Sequence, residues 1–245
     1  MGATEVRGME EDRKIELLTA GYRTWHLANL TMFALLFTTG LLFVALPWTS
    51  WLAYAVGTPL ATLSGLDPET YAVTAGVQLL RTLHRLLGLI WGGVIIAYFL
   101  YLLLSGRIVI YRALMKPLGV QLREAFYVAK VYTVGGEIPE DVRKHMHRHN
   151  VLAVYANSLL VLGFVMLGIS GVSLMLLSHS EVELHRLMIV LHNLGFYTIM
   201  LFVMSHIFAS LHPRNFWLAS AMFGNGMVSE KHAREDMPAY FAEKK

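Results

Sequence analysis

Eleven histidines stand in a chain of 245 residues that is 56% hydrophobic and has no cysteine. Without thiolates, Cys-type zinc sites, iron–sulfur clusters and disulfides are excluded within the chain, and any metal falls to His, Met or carboxylates. Two of the histidines, His192 and His206, lie in one apolar stretch. In a helix their spacing separates them by ~21 Å along the axis and by only ~40° around it. One helix face then carries two imidazoles at two depths. A histidine inside a membrane span is costly and is by default a functional residue. Two imidazoles facing each other across a helical bundle can ligate a b-type haem iron, each with its other ring nitrogen hydrogen-bonded.

The elements that must position these histidines are apolar helices. Four uncharged runs, 27–47, 86–105, 151–177 and 187–211, are long enough to cross a hydrocarbon core about 30 Å thick. They predict spans over about 26–47, 82–105, 150–177 and 185–211 in a single membrane domain. Only 15% of the residues are charged, and they crowd into the connections. Arg7, Arg13, Lys14 and Arg23 precede the first span. Arg107, Arg112, Lys116, Arg123, Lys130, Arg143, Lys144 and Arg148 fill the 106–149 loop. Arg214, Lys231, Arg234, Lys244 and Lys245 lie in the 212–245 tail. The 48–80 connection has no Lys or Arg, and the short 178–186 connection has only Arg186. The positive-inside rule therefore puts both termini and the 106–149 loop in the cytoplasm. The net charge of +3 then reports topology in a cell-membrane protein, not a nucleic-acid partner. Residues 1–25 lack a cleavable signal pattern, so the first run reads as a signal anchor.

This topology sorts the histidines into layers. His26 opens the first span at the inner side, and His84 opens the second at the outer side. His192 lies near the outer end of the fourth span and His206 near its inner end. One pair per leaflet results: His26 with His206, and His84 with His192. Two haems at these levels would wire electrons across the bilayer. Gly40, 14 residues after His26 on the same helix face but at the outer level, would leave room for a porphyrin, as would Gly88, Gly92 and Gly93; ordinary helix packing of small residues is the plainer reading. Arg23, Arg81 and Arg85 lie within a turn of these histidines and could pair with haem propionates; snorkelling at the membrane edge is the plainer explanation.

Other features remain open. Trp48, Trp51, Tyr54 and Tyr71, with turn signals at Gly57-Thr-Pro59 and Gly65-Leu-Asp-Pro68, predict a short interfacial half-helix or a docking surface for an external subunit. The run His145-Met-His-Arg-His149 could deliver protons or be a solvated basic loop. His185 shares a face with His192 and is the rival ligand; His179, His212 and His232 receive no role. The competing functions are a stand-alone cytochrome b electron carrier and a haem-free, histidine-based metal transporter or anchor.

The chain resembles the cytochrome b (gamma) subunit of membrane-bound formate dehydrogenases and its relatives in nickel–iron hydrogenases. The stretches that carry the resemblance are Tyr22-Arg-Thr-Trp-His26, Trp51-Leu-Ala, Gly57-Thr-Pro59, Arg81-Thr-Leu-His84-Arg-Leu-Leu-Gly88, Ser170-Gly-Val172, Leu187–His192 and His206–Leu211. The tail motifs Met222–Glu230 and Pro238-Ala-Tyr240 add to it. It covers most of residues 20–240, although the outer connection looks longer than the family's usual one. It implies an all-α integral membrane four-helix bundle holding two haem b, with His26, His84, His192 and His206 as iron ligands. It also implies a menaquinone pocket beside the inner haem, using an asparagine before the third span. That position is Asn150, preceded by Arg148 and His149; the plainer role for Asn150 is the N-cap of the third span. The expected partners are a ferredoxin-like iron–sulfur subunit and a catalytic molybdenum/tungsten or nickel–iron subunit. The chain itself has no catalytic residues for the primary substrate, and would act as a quinone-reactive electron-transfer subunit of the oxidoreductase.

Overall fold

The computed structural model describes residues 13–44, 46–105, 110–177 and 181–242, apart from the side chains of 46 and 110–112. Arg7, Arg107, His179, Lys244 and Lys245, invoked above, lie outside the described residues. Ten helices appear among those described: α1 Ala20–Val44, α2 Leu46–Leu63, α3 Pro68–Leu104, α4 Leu118–Thr133, α5 Glu140–Arg143, α6 Val151–Leu176, α7 Val182–Leu211, α8 Phe216–Phe223, α9 Glu230–Asp236 and α10 Pro238–Ala242. A 3-10 turn spans Ile110–Met115. Two three-residue strands, β1 Lys14–Glu16 and β2 Met227–Ser229, complete the set.

Helices α1, α3, α6 and α7 are long and apolar enough to cross a membrane. Their apolar side chains are also largely uncovered: Leu27, Leu30 and Leu35 on α1, Leu89, Ile90 and Ile96 on α3, Val165 and Ile169 on α6, and Val190, Leu201 and Ile207 on α7. Surfaces of this kind are stable only against lipid tails. The protein is therefore a helical membrane protein with four spanning helices.

The described chain forms two compact units. The first comprises 24–105 and 171–176. Here α1 and α3 run antiparallel, as three contacts along them show. The Trp25 and Tyr98 rings lie 4.6 Å apart, Trp91 Nε1 donates to Asn29 Oδ1 at 2.9 Å, and Thr39 meets His84. The expected turn at Gly57-Thr-Pro59 does not form; α2 runs straight through it, with Pro59 inside the helix. Gly57 serves packing instead. A Cβ there would fall 1.8 Å from Ala72 O, and one at Gly76 would fall 1.8 Å from Ala53 O. Small residues at four-residue spacing on both helices thus let two backbones touch. The turn falls at Ser64–Asp67, with Gly65 at φ +71°. Asp67 caps α3 through the Glu69 and Thr70 amides and Pro68 follows as the first helical residue, so α3 begins well before its apolar stretch.

The second unit contains the described residues of 13–23, 110–170 and 177–242. Helices α6 and α7 cross where Gly163 and Gly195 meet: a Cβ on Gly163 would lie 2.5 Å from Ile199 Cγ1 and 3.1 Å from Gly195 O. At one end of this pair, β1 and β2 form an antiparallel ladder, Ile15 opposite Val228. The charge-based reading did not foresee these strands, which are too short to show a period of two. Leu17, Leu18, Ala221, Val228, Ala233 and Met237 form the core beneath them. The loop before α6 joins the same cap, since Ala239 N donates to Met146 O at 3.3 Å and Asn215 Nδ2 donates to the Tyr132 hydroxyl. The N-terminal segment, the 110–150 loop and the tail thus belong to one unit and pack against one another.

Candidate functional site

In the first unit, α1 carries His26 and α3 carries His84. With Trp25 beside Tyr98 and Thr39 beside His84, the antiparallel register puts the two histidines at opposite ends of the helix pair. Thr39 Oγ1 lies 2.9 Å from His84 Nδ1. Gly40, expected to clear space for a porphyrin, faces the imidazole itself: a Cβ there would come within 3.0 Å of His84 Cε1. The Phe43 ring stands edge-on to His84 at 6.2 Å, and the exposed Arg81 guanidinium lies over Phe43 at 5.6 Å. Beyond His84 on α3, Cβ atoms built at Gly92 and Gly93 meet nothing within 4 Å, and one at Gly88 reaches only Leu36 Cδ2 at 4.0 Å.

In the second unit, α7 carries both His192 and His206. Ser170 Oγ on α6 lies 2.9 Å from His192 Nδ1, so this histidine meets a hydroxyl just as His84 does. His206 stacks on Phe202 one turn earlier, centroids 5.4 Å apart and planes 14° apart. Running α6 and α7 antiparallel from the Ser170–His192 contact brings His206 level with about residue 156. That is ~7.5 Å along α6 from its first residue, Val151. Arg148, His149 and Asn150 stand at that end.

Asn150 Oδ1 accepts from Ala153 N at 2.8 Å, so the asparagine does cap α6. The Arg148 guanidinium lies over the Tyr22 ring at 5.4 Å and the Tyr240 ring at 6.0 Å, joining the N-terminal segment to the tail by cation–π attraction. Burial, helped by the neighbouring Arg148 charge, pushes His149 down to about 4, which leaves it neutral at physiological pH. Arg23 Nη1 donates to Gly224 O, so Arg23 holds the tail.

Sequence reasoning missed the groups that hold this end together. Glu124 is almost fully buried; its carboxylate takes Lys116 Nζ at 2.6 Å and the Val151 amide at 2.9 Å. Gln121 receives the Tyr155 hydroxyl at 2.9 Å and donates to Leu114 O and Lys116 O. Glu124 sits among loop charges, and nothing local distinguishes it from a solvated acid. Thr39 was overlooked as well, although it directly precedes Gly40, while Ser170 was noted only as part of a motif.

Among the described residues, no three His, Asp or Glu side chains cluster closely enough to hold a single metal ion. The candidate ligands instead lie spread along the long helices, His26 on α1, His84 on α3, and His192 and His206 14 residues apart on α7. No curated protein sequence matches the chain. The family model of prokaryotic cytochrome b561 matches residues 18–225, most of the chain, and that family binds b-type haem. With its four spanning helices, the chain belongs to the prokaryotic cytochrome b561 family and is a membrane cytochrome b electron carrier.

Proposed function

We propose that the chain is the dihaem cytochrome b anchor of a respiratory oxidoreductase of the formate dehydrogenase or nickel–iron hydrogenase type. In this reading it passes electrons between an outer iron–sulfur partner subunit and a quinone near the inner face. The catalytic molybdenum/tungsten or nickel–iron centre belongs to another subunit. The observation that carries the reading is the two-level histidine pattern: His192 and His206 on one face of α7, with His26 and His84 at opposite ends of α1 and α3.

The donor set fits haem b. His84 and His192 each have Nδ1 against a buried hydroxyl, and the α3 glycines beyond His84 leave open space a macrocycle could use. His84 and His192 would hold the outer haem, and His26 and His206 the inner one. Haem b, when bound, supplies a reversible one-electron couple at each level. Arg81 would meet a propionate; Arg23, already bonded to Gly224, is the weaker partner for one. Menaquinone would bind beside Arg148, His149 and Asn150, where a neutral imidazole can hand on a proton and Arg148 can steady a carbonyl. Both termini would lie in the cytoplasm, at the inner cell membrane.

A reduced-minus-oxidised visible spectrum of the purified chain, set against protein and haem assays, tests this reading. Two b-type haems per chain are expected, and any other stoichiometry would sink it. Co-purification of a ferredoxin-like subunit supports the complex; a chain isolated intact with both haems and no partner would favour the stand-alone carrier.

A further inference from the structure

Two buried hydroxyls, one in each compact unit, meet the two outer histidines in the same way. Thr39 is 6% exposed and Ser170 not at all. Thr39 Oγ1 lies 2.8 Å from Leu35 O, four residues back in its helix, and 2.9 Å from His84 Nδ1. Ser170 Oγ lies 2.6 Å from Met166 O, again four residues back, and 2.9 Å from His192 Nδ1.

Proton counting decides what these contacts do. A carbonyl oxygen cannot donate, so each hydroxyl spends its single proton on its own helix backbone. It can then meet the histidine only with a lone pair, and Nδ1 must carry the hydrogen. A neutral imidazole has one N–H, so the lone pair is left on Nε2. That is the nitrogen a ring on the bundle interior offers to iron. We propose that Thr39 and Ser170 are positioning residues: they lock His84 and His192 in the Nδ1–H tautomer, present both Nε2 atoms as ligands, and set the potential of the outer haem. The proposal rests on the reading of His84 and His192 as iron ligands.

The choice of a hydroxyl has a consequence. A carboxylate acceptor would draw the Nδ1 proton strongly, make the ring a better electron donor and favour ferric iron. A hydroxyl already committed to a backbone carbonyl accepts more weakly, which keeps the outer couple comparatively oxidising. Removing the hydroxyl takes this acceptor away from Nδ1–H. The ring then donates less to the metal, and the potential rises further.

The test uses the full chain with its native haems, as Thr39→Val, Ser170→Ala and the conservative Thr39→Ser. Haem content, potentiometric titration of the visible bands and the low-temperature EPR of the ferric protein are read for each. We expect two haems throughout. In Thr39→Val and Ser170→Ala, one midpoint and its EPR signal move while the other couple stays. A tenfold loss of ferric stabilisation appears as a rise of ~59 mV. Thr39→Ser should restore the original potential. Both variants retaining both midpoints and both EPR signals overturns the proposal, as does an equal shift of both haems or a haem loss in Thr39→Val that also occurs in Thr39→Ser. Failure of the underlying ligand reading shows separately: His84→Ala would then retain both haems.

Discussion

At the residue scale, the candidate haem ligands stand on different supports. His84 and His192 meet side-chain hydroxyls, whereas His206 stacks on Phe202. Replacing His206 by Ala should leave one haem per chain, seen as half the reduced-minus-oxidised amplitude. Asn150 needs a more careful substitution because it caps α6, and loss of such a cap costs ~0.5–2 kcal/mol whatever its other roles. Asn150→Ser keeps a capping oxygen but removes the amide. It should retain both haems and slow their reoxidation by menaquinone, and unchanged reoxidation would remove Asn150 from the quinone site. His149 makes a pH prediction. Its folded value near 4 lies below the ordinary 6.5, so the unfolded chain binds the proton first as pH falls. The stability it contributes is present above pH 6.5 and is lost on descent toward 4, by about 3 kcal/mol at most. Thermal unfolding in detergent should show that decline between those values, and His149→Asn should flatten it.

At the element scale, glycines control how closely helices approach. Gly76→Val forces a branched side chain against Ala53 O, where even a Cβ would be 1.8 Å away. Helices α2 and α3 must then part, at a cost of at least ~1–3 kcal/mol. A lowered unfolding midpoint is the expected result, with Gly168→Ala, which has nothing within 4 Å, as the control that leaves it in place. The start of α6 depends instead on charge. Glu124→Ala would take the carboxylate from Lys116, leaving its ammonium the His145 carbonyl at 2.8 Å, and would strand the Val151 amide, a loss of ~1–3 kcal/mol for a buried donor left unsatisfied. Limited proteolysis should then cut the 134–150 segment sooner, and equal cutting rates would count against that role for Glu124.

At the scale of the whole molecule, the charge-rich segments gather on one side through β1 and β2 and the core beneath them. Gly226 is central to that closure: it sits at φ +82°, and a Cβ there would fall 2.0 Å from Leu18 O. Gly226→Val should detach the tail and expose it to protease while the four spans stay inserted. Reporter fusions test the side itself. A fusion at Gly65 should show an outer-facing reporter active, and a fusion at the C-terminus should show it inactive; the reverse pattern would invert the proposed direction of electron flow. Much of this was legible beforehand, because length, hydropathy and Lys/Arg asymmetry act locally and need no partner. The four spanning helices and the haem-binding class followed from those terms and from the 14-residue histidine spacing. Other features depend on residues far apart in the chain: the passage of α2 through Gly57 and Pro59, the β1–β2 ladder, buried Glu124, and the meeting of Thr39 with His84 and of Ser170 with His192. A threonine or serine facing lipid and one facing an imidazole have the same local sequence chemistry. Only tertiary packing, by bringing a second helix within 3 Å, set each of these hydroxyls against its imidazole.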